Sequence, residues 1–350
     1  MKFPCPRPAR RPLVAAATLA ALAALVPGAL AGAVSVASRD LPAPEKGLNL
    51  LVVGLDSRKG VTEEERDRFR LGGQGCDCTD VMMLVHVSAA GDRVEVVSLP
   101  RDSLASIPGE HRDRRTGKVH ATHQAKINSA WAEGGPALTV ETVESVTGLP
   151  VHRHLAVDFR RFMDTVDRVD GGVPICTEQP LKDPATGLDL QPGTKRVAGG
   201  EALQYVRSRK ADGQMDFGRM RKQQQFVANA LGRLRDGVLD APGRLEEVAA
   251  TLHGTTADER GISTAELLAL AARLRNLPPE RTQFATVPVR GFNANVEGVG
   301  STVGWDEEGA AEVFGRLAED RPLPAAGAVA PSEIPAAAYR PARGASLICP

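Results

Sequence analysis

Basic side chains are concentrated between residues 205 and 226 of this chain. Six cations and two acids fall in that segment, whereas the whole chain has no net charge, with 43 basic and 43 acidic residues. Arginine binds phosphate through paired hydrogen bonds, so such a cluster is typical of a polyanion site, although most basic runs are solvated surface. The six cations are Arg207, Arg209, Lys210, Arg219, Arg221 and Lys222. Because no global field attracts nucleic acid or anionic lipid, a polyanion must be bound locally.

Spacing favours the anion-site interpretation for part of this segment. Arg207 and Arg209 are two residues apart and point the same way only where the backbone is extended. From residue 217 apolar residues recur at helical spacing, and Arg219 and Gln223 form an i,i+4 pair at the edge of that stripe. Cations in the first turns of a helix oppose its macrodipole, and a bound anion would resolve the conflict. The other cations are assigned to the solvent: Lys210, Arg221 and Lys222.

Three apolar runs of strand length carry charged residues at their ends. The runs are Leu48–Leu55, 81–87 and 93–99. Asp56 follows the first run, Asp80 precedes the second and Arg101 follows the third. Ligands of open α/β sheets bind outside the strand ends, so these three side chains would meet if the second strand ran antiparallel to its neighbours. The alternatives are a turn acid for Asp56 and a capping role for Asp80.

Strands alternate with helical patterns along most of the chain, which indicates one α/β domain with helices on both sides of a sheet. We assign residues 48–321 to it. Residues 322–350 are rich in Ala and Pro and are predicted to be disordered. Residues 110–123 are predicted to be a mobile loop. Its histidines lack the i,i+4 spacing of a metal site, and no acid completes one; they are His111, His120 and His123.

The N-terminus predicts a membrane anchor. Residues 13–38 carry no charge and follow a basic segment, residues 1–12, which places the N-terminus in the cytoplasm. A cleaved signal peptide is the alternative, because Ala29-Leu30-Ala31 has the small-residue cleavage pattern. We predict a retained single span in the cell membrane, a linker over residues 39–47 and an extracytoplasmic domain.

Cysteine usage agrees with export, because disulfides persist outside the cytoplasm. Four of the five cysteines follow the predicted span: Cys76, Cys78, Cys176 and Cys349. A bond between Cys76 and Cys78 would close a very tight ring, so we predict that one of them pairs with Cys176. The CxC pair has no second ligand pair at a regular spacing, which disfavours zinc.

Six motifs occur in the order found in the LytR-CpsA-Psr family, and the chain resembles that family closely from Leu48 to Leu234. The motifs are LVVGLDSR, TDVMMLVHV, VVSLPRDS, KINSAW, VDGGV, and YVRSR followed by DFGRMRKQQQF. The resemblance implies one membrane span and then a three-layer α/β/α sandwich with a mixed central sheet.

The resemblance also implies an activity. Family members are understood to move a glycopolymer from a polyprenyl-pyrophosphate lipid to peptidoglycan, leaving a phosphodiester link. By motif, Asp56 and Asp80 would hold Mg²⁺, and apolar residues between sheet and helices would form a slot for the polyprenyl chain. The residues that would bind the pyrophosphate are Arg101, Lys126, Arg207, Arg209, Arg219 and Gln223, with Asp80, Arg101, Arg207 and Arg219 as the catalytic set.

These residue types suit phosphoryl transfer, which depends on positioning and on charge neutralisation by Mg²⁺ and arginine. A carboxylate would take the proton of the attacking sugar hydroxyl. Asp80 and Asp102 are both candidates, and pairing with an arginine is the alternative for Asp102. The long segment between Asp56 and Asp80 must fold back, and it makes Asp77 a possible third carboxylate.

Two other functions are compatible with the sequence. A pyrophosphatase would use the same cluster with water in place of the sugar. A cell-envelope scaffold or regulator would need no chemistry at all. DNA binding would require a cytoplasmic basic domain, and only about twelve residues precede the predicted span. We therefore predict no nucleic-acid partner.

Overall fold

The computed structural model describes residues 44–72, 75, 78–237, 240–253 and 259–350. The predicted membrane span and Asp77 lie outside these ranges. Within them, no helix combines the length and apolar character needed to cross a bilayer.

Sixteen strands and eight helices make up the described part of the chain. The strands are β1 (Leu48–Leu55), β2 (Thr79–Val87), β3 (Val94–Ser98), β4 (Leu104–Ile107), β5 (His111–Arg112), β6 (Val119–His120), β7 (His123–Lys126), β8 (Arg153–Val157), β9 (Val173–Thr177), β10 (Leu181–Asp183), β11 (Leu188–Leu190), β12 (Gly193–Val197), β13 (Thr282–Thr286), β14 (Val289–Val296), β15 (Gly300–Trp305) and β16 (Ala342–Arg343). The helices are α1 (Glu63–Arg68), α2 (Ser129–Thr147), α3 (Phe159–Asp167), α4 (Gly199–Arg207), α5 (Met215–Arg235), α6 (Arg244–Leu252), α7 (Thr264–Leu274) and α8 (Glu307–Ala318).

A mixed six-stranded sheet lies at the centre, with strand order β16-β13-β3-β2-β1-β8. β2 runs antiparallel to both β1 and β3, whereas β8 is parallel to β1 and β13 is parallel to β3. The carboxyl ends of β1 and β3 therefore share one edge of the sheet with the amino end of β2.

Helices cover both faces of this sheet, which explains why β1 is apolar at almost every position. Leu51 and Val53 of β1 pack with α2 and α8 in one buried cluster. Leu48 and Leu50, on the opposite face, pack with α5 and α7 in another. The sheet is thus the middle of three layers, as the sequence predicts.

Helix α2 bends where the sequence places a break. Gly135 has φ 72° and ψ −152° inside the helix, and Pro136 follows it. The helix ends before Gly148, which adopts the left-handed conformation that terminates helices. The predicted start at Pro136 corresponds to this kink, and one further turn precedes it.

The expectation of a disordered tail over residues 322–350 is wrong. β16 pairs with β13 and extends the central sheet. Tyr339 is buried, and its hydroxyl donates a hydrogen bond to the Pro324 carbonyl oxygen at 3.2 Å. The composition of residues 322–350 indicated little intrinsic tendency to fold, but their contacts with the rest of the domain, including the β16–β13 pairing, order them.

The predicted cysteine pairing is also wrong. Cys176 of β9 forms a disulfide with Cys349, with 5.6 Å between their Cα atoms. Cys78 is disulfide-bonded as well. The folded tail brings Cys349 to β9, a contact that spacing along the chain does not indicate.

Residues 110–123 form strands rather than a mobile loop. His111 pairs with His120 and Arg112 with Val119 in the β5–β6 ladder. β7 follows and pairs antiparallel with β4 from Ile107↔His123 to Leu104↔Lys126. Lys126, a predicted pyrophosphate-binding residue, is the last residue of β7.

Candidate active site

Asp56, Asp80 and Arg101 lie at one edge of the central sheet because β2 is antiparallel to its neighbours. Leu55 is opposite Thr79 in the β1–β2 register, and the Asp56 N–H donates to the Cys78 carbonyl oxygen at 2.9 Å. The strand topology that the sequence required for this meeting is therefore present.

The loop between α4 and α5 delivers the arginines to the same edge. Helix α4 ends at Arg207, and Ser208 is extended with φ −66° and ψ 133°. Asp183 accepts the backbone N–H of Arg209 at 2.8 Å and of Lys210 at 3.0 Å. Burial acts to raise the pKa of Asp183, but these backbone hydrogen bonds lower it below its ordinary value. The sequence indicated only a turn at Asp183, whereas the carboxylate fixes the loop that carries Arg209.

Asp216 connects three arginines in the cleft. Its Oδ1 lies 2.9 Å from Arg209 Nε, and its Oδ2 lies 3.2 Å from Arg219 Nη2 and 3.5 Å from Arg101 Nε. The sequence analysis counted Asp216 as an acid within the basic segment and gave it no role. Its i,i+3 spacing to Arg219 was the one signal available, because the other two partners come from different segments.

Arg101 is surrounded by carboxylates. Arg101 Nη1 contacts Asp80 Oδ1, and its Nε lies 3.6 Å from Asp102 Oδ2. Burial acts to lower the pKa of Arg101, but Asp80, Asp102 and Asp216 together raise it. Lys126 Nζ lies 3.0 Å from Asp102 Oδ1, so Asp102 pairs with two cations.

Arg219 is a buried cation. Its side chain is 5% exposed, and this burial lowers its pKa to about 10, so it stays charged at neutral pH. The Nε atoms of Arg101 and Arg219 are both buried and make no hydrogen bond to the described residues, although Arg101 Nε lies 3.5 Å from Asp216 Oδ2 and 3.6 Å from Asp102 Oδ2. Donors of this kind carry a desolvation penalty that an anionic ligand removes.

Arg207 lies beside this group rather than in it. Its guanidinium is 4.9 Å from the centroid of the Phe159 ring, and Arg58 is 5.5 Å from the same ring. Burial lowers the pKa of Arg207, while Asp56 and Asp80 act to raise it. Arg207 is therefore attracted electrostatically to both acids, and it lies on the Asp56 side of the cleft.

Gln223 lines the cavity with the arginines, whereas two of the three cations that were assigned to the solvent are not exposed. Gln223 is buried and donates from Nε2 to the Val206 carbonyl oxygen at 3.0 Å. Lys222 was assigned to the solvent, but it is 6% exposed and lies 2.6 Å from Asp212. Arg221 is half-buried and donates to the Ala336 carbonyl oxygen at 2.6 Å. Lys210 is exposed, as predicted.

A cavity of about 400 Å³ opens at this edge of the sheet, between the ends of β2 and β3, the start of α5 and the β14–β15 hairpin. Its charged lining comprises four cations and three acids: Arg101, Lys126, Arg209, Arg219, Asp80, Asp102 and Asp216. Its apolar lining includes Val81, Met82, Leu99, Phe217, Met220, Phe292 and Val303. Arg207 and Asp56 do not line it. The site thus joins a cationic anion-binding end to an apolar pocket.

Asp56 and Asp80 have the donor chemistry of a Mg²⁺ site. Their side chains are 15% and 23% exposed, and they lie on adjacent strands. Asp56 Oδ1 is 3.0 Å from Arg58 Nη1, and Asp80 contacts Arg101. Mg²⁺ is commonly held by one or two carboxylates together with water and phosphate oxygens, and this pair fits that pattern.

The three-layer α/β fold, with an arginine cluster and two acids at one edge of its sheet, defines the chain as an α/β protein with a cationic cleft. The LytR_cpsA_psr family model matches residues 28–318. The chain therefore belongs to the LytR-CpsA-Psr family.

Curated relatives agree with this assignment. The chain is 33% identical over 273 residues to the probable cell wall biosynthesis protein LcpB of Corynebacterium glutamicum, covering 77% of this chain and 61% of LcpB. It is 27% identical over 282 residues to the cell wall biosynthesis protein LcpA of the same organism, covering 75% and 53%. The chain thus spans less than two thirds of these two relatives. It is 26% identical over 262 residues to the polyisoprenyl-teichoic acid–peptidoglycan teichoic acid transferase TagU of Oceanobacillus iheyensis, covering 75% and 72%.

Solved structures share the fold. TagV of B. subtilis superposes with a TM-score of 0.59 at 22% identity, covering 80% of this chain and 99% of TagV. A structure of TagT bound to LIIa-WTA superposes with a TM-score of 0.55 at 22% identity, covering 81% and 94%. The superposition covers nearly all of both solved structures, so both share the α/β fold of this chain.

Proposed function

We propose that this protein transfers a glycopolymer from a polyprenyl-pyrophosphate lipid to a sugar hydroxyl of peptidoglycan, forming a phosphodiester link. The observation that carries the proposal is the arginine cluster beside the apolar cavity. Arg219 keeps a buried Nε hydrogen that makes no hydrogen bond among the described residues, and Arg101 Nε has carboxylate oxygens only at 3.5 and 3.6 Å, within a group that Asp216 holds together. An amphipathic lipid pyrophosphate would fill both halves of such a site.

Relatives support this substrate class. TagU is named as a transferase that moves teichoic acid from a polyisoprenyl carrier to peptidoglycan, and so is TagV of Bacillus subtilis, which is 32% identical over 161 residues. TagT has been solved with LI-WTA and LIIa-WTA bound. These names favour an anionic wall polymer as the cargo of this chain.

The reaction requires one bond to form and one to break. The sugar hydroxyl oxygen attacks the phosphorus that carries the glycopolymer, and the bond from that phosphorus to the bridging oxygen breaks. Polyprenyl phosphate leaves, and the hydroxyl proton passes to a carboxylate. Asp80 and Asp102 are both candidates for that role: each contacts Arg101, and Asp102 also pairs with Lys126.

The cations of the site would neutralise the charge that develops on the transferring and leaving phosphates. Arg101, Arg209 and Arg219 reach the cavity directly, whereas Arg207 approaches from the Asp56 side. Mg²⁺ held by Asp56 and Asp80 would supply additional Lewis-acid stabilisation of the phosphate oxygens.

The apolar lining offers a place for the polyprenyl chain. Phe217 and Met220 of α5 and Val303 of β15 line the cavity opposite the charged end. We further propose an extracytoplasmic location at the cell membrane, with residues 13–38 as the anchor. The disulfide bonding of Cys176, Cys349 and Cys78 supports that location, because such bonds persist in oxidising compartments.

The test is to incubate the purified full chain with a lipid-pyrophosphate-linked glycan and peptidoglycan fragments, with Mg²⁺ or with a chelator. We expect Mg²⁺-dependent appearance of glycan on the acceptor together with polyprenyl phosphate. Lipid phosphate without acceptor glycan would instead establish a hydrolase, and no turnover would point to a scaffold.

Two variants locate the site. Arg207→Ala and Arg219→Ala should abolish transfer while thermal unfolding shows a folded protein. Arg321→Ala, whose side chain is 49% exposed and pairs with Glu319, is the matched control and should retain activity. Equal activity of Arg219→Ala and wild type would refute the assignment.

A further inference from the structure

Three histidines and one glutamate meet outside the cleft, on the segment that the sequence analysis set aside. The β5–β6 ladder places His111 opposite His120, and His123 begins β7. Glu133 comes from α2, two residues before the Gly135 kink, and completes the group. The judgement that no acid completes a site is therefore wrong, because the acid lies ten residues beyond the last histidine and on a different element.

The spacing within this histidine cluster (His111, His120, His123 and Glu133) matches metal coordination. One ligand atom each of His120, His123 and Glu133 lies within 4.8 Å of the others. The Nε2 atoms of His111 and His123 are each 3.2 Å from Glu133 Oε2. Ligands at tetrahedral positions around Zn²⁺, with bonds of about 2.0–2.1 Å, are about 3.3 Å apart.

The hydrogen bonds made by Nδ1 of His111 and of His123 decide which ring nitrogen of each residue faces Glu133. His111 Nδ1 is 2.8 Å from the Pro108 carbonyl oxygen, and His123 Nδ1 is 3.0 Å from the Ala121 carbonyl oxygen. Because a carbonyl only accepts, both Nδ1 atoms carry hydrogen. In the neutral rings, both Nε2 lone pairs therefore point at a carboxylate oxygen.

Lone pairs facing a carboxylate repel it unless a cation lies between them. One divalent ion satisfies all the ligands at once. Histidines whose second nitrogen is bonded to a backbone carbonyl are typical of metal sites.

We propose that the histidine cluster binds a divalent transition-metal ion of the Zn²⁺ class. His120, His123 and Glu133 form the core of the site, and His111 supplies a fourth ligand. Asp113 Oδ2, 3.6 Å from His120 Nε2, orients that ring from outside. Imidazole nitrogens favour Zn²⁺ over Mg²⁺, which prefers oxygen ligands, so this site differs in selectivity from the Asp56 and Asp80 pair.

Such an ion would join elements that otherwise touch through few side chains. It would tie the β5–β6 ladder and β7 to the N-terminal part of α2, on the amino side of the Gly135 kink. β7 ends at Lys126, which lines the cavity. The ion therefore stabilises the strand that carries a substrate-facing lysine, without contacting substrate itself.

Metal binding is best measured directly, on tag-free full chain with its disulfides intact. Chelator-treated protein is titrated with Zn²⁺ alone, and bound metal is quantified after dialysis against excess Mg²⁺. We expect one Zn²⁺ per chain that Mg²⁺ does not displace. Co²⁺ in place of Zn²⁺ should give the intense visible absorption of a tetrahedral ion.

Glu133→Gln and His123→Ala should each weaken Zn²⁺ binding at least about tenfold. His253→Ala is the matched control, because His253 is exposed and bonds only to the Ile262 carbonyl oxygen in the described part of the chain. If His123→Ala fails to fold, His120→Ala replaces it, since that side chain is 33% exposed. Zinc binding that is absent from wild type, unchanged in these variants or displaced by Mg²⁺ would overturn the proposal.

Discussion

Asp216 divides its two carboxylate oxygens among Arg101, Arg209 and Arg219, which come from three different segments of the chain. Three guanidinium groups placed this close repel one another, so an acid between them is needed to hold the cluster before substrate arrives. Asp216 also lies in the first turn of α5, where a negative charge is favourable to the helix dipole. It acts as a positioning residue for the cationic half of the cleft.

Replacing Asp216 with asparagine should therefore reduce catalysis more than stability. Asp216→Asn keeps the shape of the side chain but removes the charge, and the three arginines will separate. We expect kcat/KM for glycan transfer to fall about 10- to 100-fold, as for other misplaced catalytic groups. Asp189→Asn is the control, since Asp189 is an exposed acid that pairs with Lys182. Equal loss in both variants would contradict the assigned role.

Glu95 and His86 face each other across β3 and β2, and burial changes both pKa values. Burial raises the pKa of Glu95 to about 7, against the opposing effect of Arg93. Burial lowers the pKa of His86, against Asp320. Because the folded form of Glu95 binds a proton that the unfolded form has already lost, its stabilising contribution is complete below about pH 4.5 and disappears as pH rises through about 7.

Glu95→Gln should flatten this dependence, because glutamine mimics the protonated acid at every pH. Relative to the variant, wild type should lose up to about 3 kcal/mol of unfolding free energy between pH 5 and pH 8. Urea unfolding at several pH values measures the difference, with exposed Glu297→Gln as control. Parallel pH profiles for wild type and Glu95→Gln would be inconsistent with the raised pKa.

At the scale of single elements, the sequence predicted local structure well and non-local pairing poorly. β1, β2 and β3 were recognised because each is a largely apolar run of strand length, most of whose residues are buried. The β5–β6 ladder was missed because its strands contain two residues each, too few for a periodic signal. The same holds for the residues of the cleft. Arg219 and Gln223 were recognised because their spacing lies within one helix, whereas Asp183 and Asp216 were missed because they contact residues from other segments.

The kink in α2 is a local feature with a clear mutational test. Gly135 has φ 72° and ψ −152°, a region that only glycine adopts without strain, and an added Cβ would lie 2.6 Å from Arg114 Nη1. Gly135→Ala should lower the unfolding free energy by about 1–3 kcal/mol.

Gly315→Ala provides the matched control for the kink. Gly315 lies within α8, and a Cβ there would meet nothing within 4 Å. This substitution should stabilise the protein by up to about 1 kcal/mol, because alanine favours helix. Thermal and urea unfolding of both variants measure the contrast, and equal effects would argue against strain at Gly135.

At the scale of the whole molecule, residues 322–350 complete the domain instead of trailing from it. They add β16 to the sheet, bury Tyr339 and place Cys349 beside β9. Composition could not predict this, because alanine and proline carry little information about a partner surface far away in sequence.

The Cys176–Cys349 disulfide should contribute measurably to global stability. It spans 173 residues, so its loss would increase the freedom of a long stretch of the unfolded chain. Joint replacement, Cys176→Ser with Cys349→Ser, should lower the unfolding free energy by about 2–5 kcal/mol. Cys5→Ser is the control. Reduction of wild type is a weaker test, because Cys78 is also disulfide-bonded.

This long-range bond also sets an order of events during biosynthesis. Its two sulfurs are separated by 173 residues, which include all of α4 to α8. A ribosome that adds about 5–20 residues each second needs roughly 9–35 seconds to make that stretch. Cys176 therefore cannot meet its native partner until Cys349 has been synthesised, and any disulfide that Cys176 forms earlier is a non-native one.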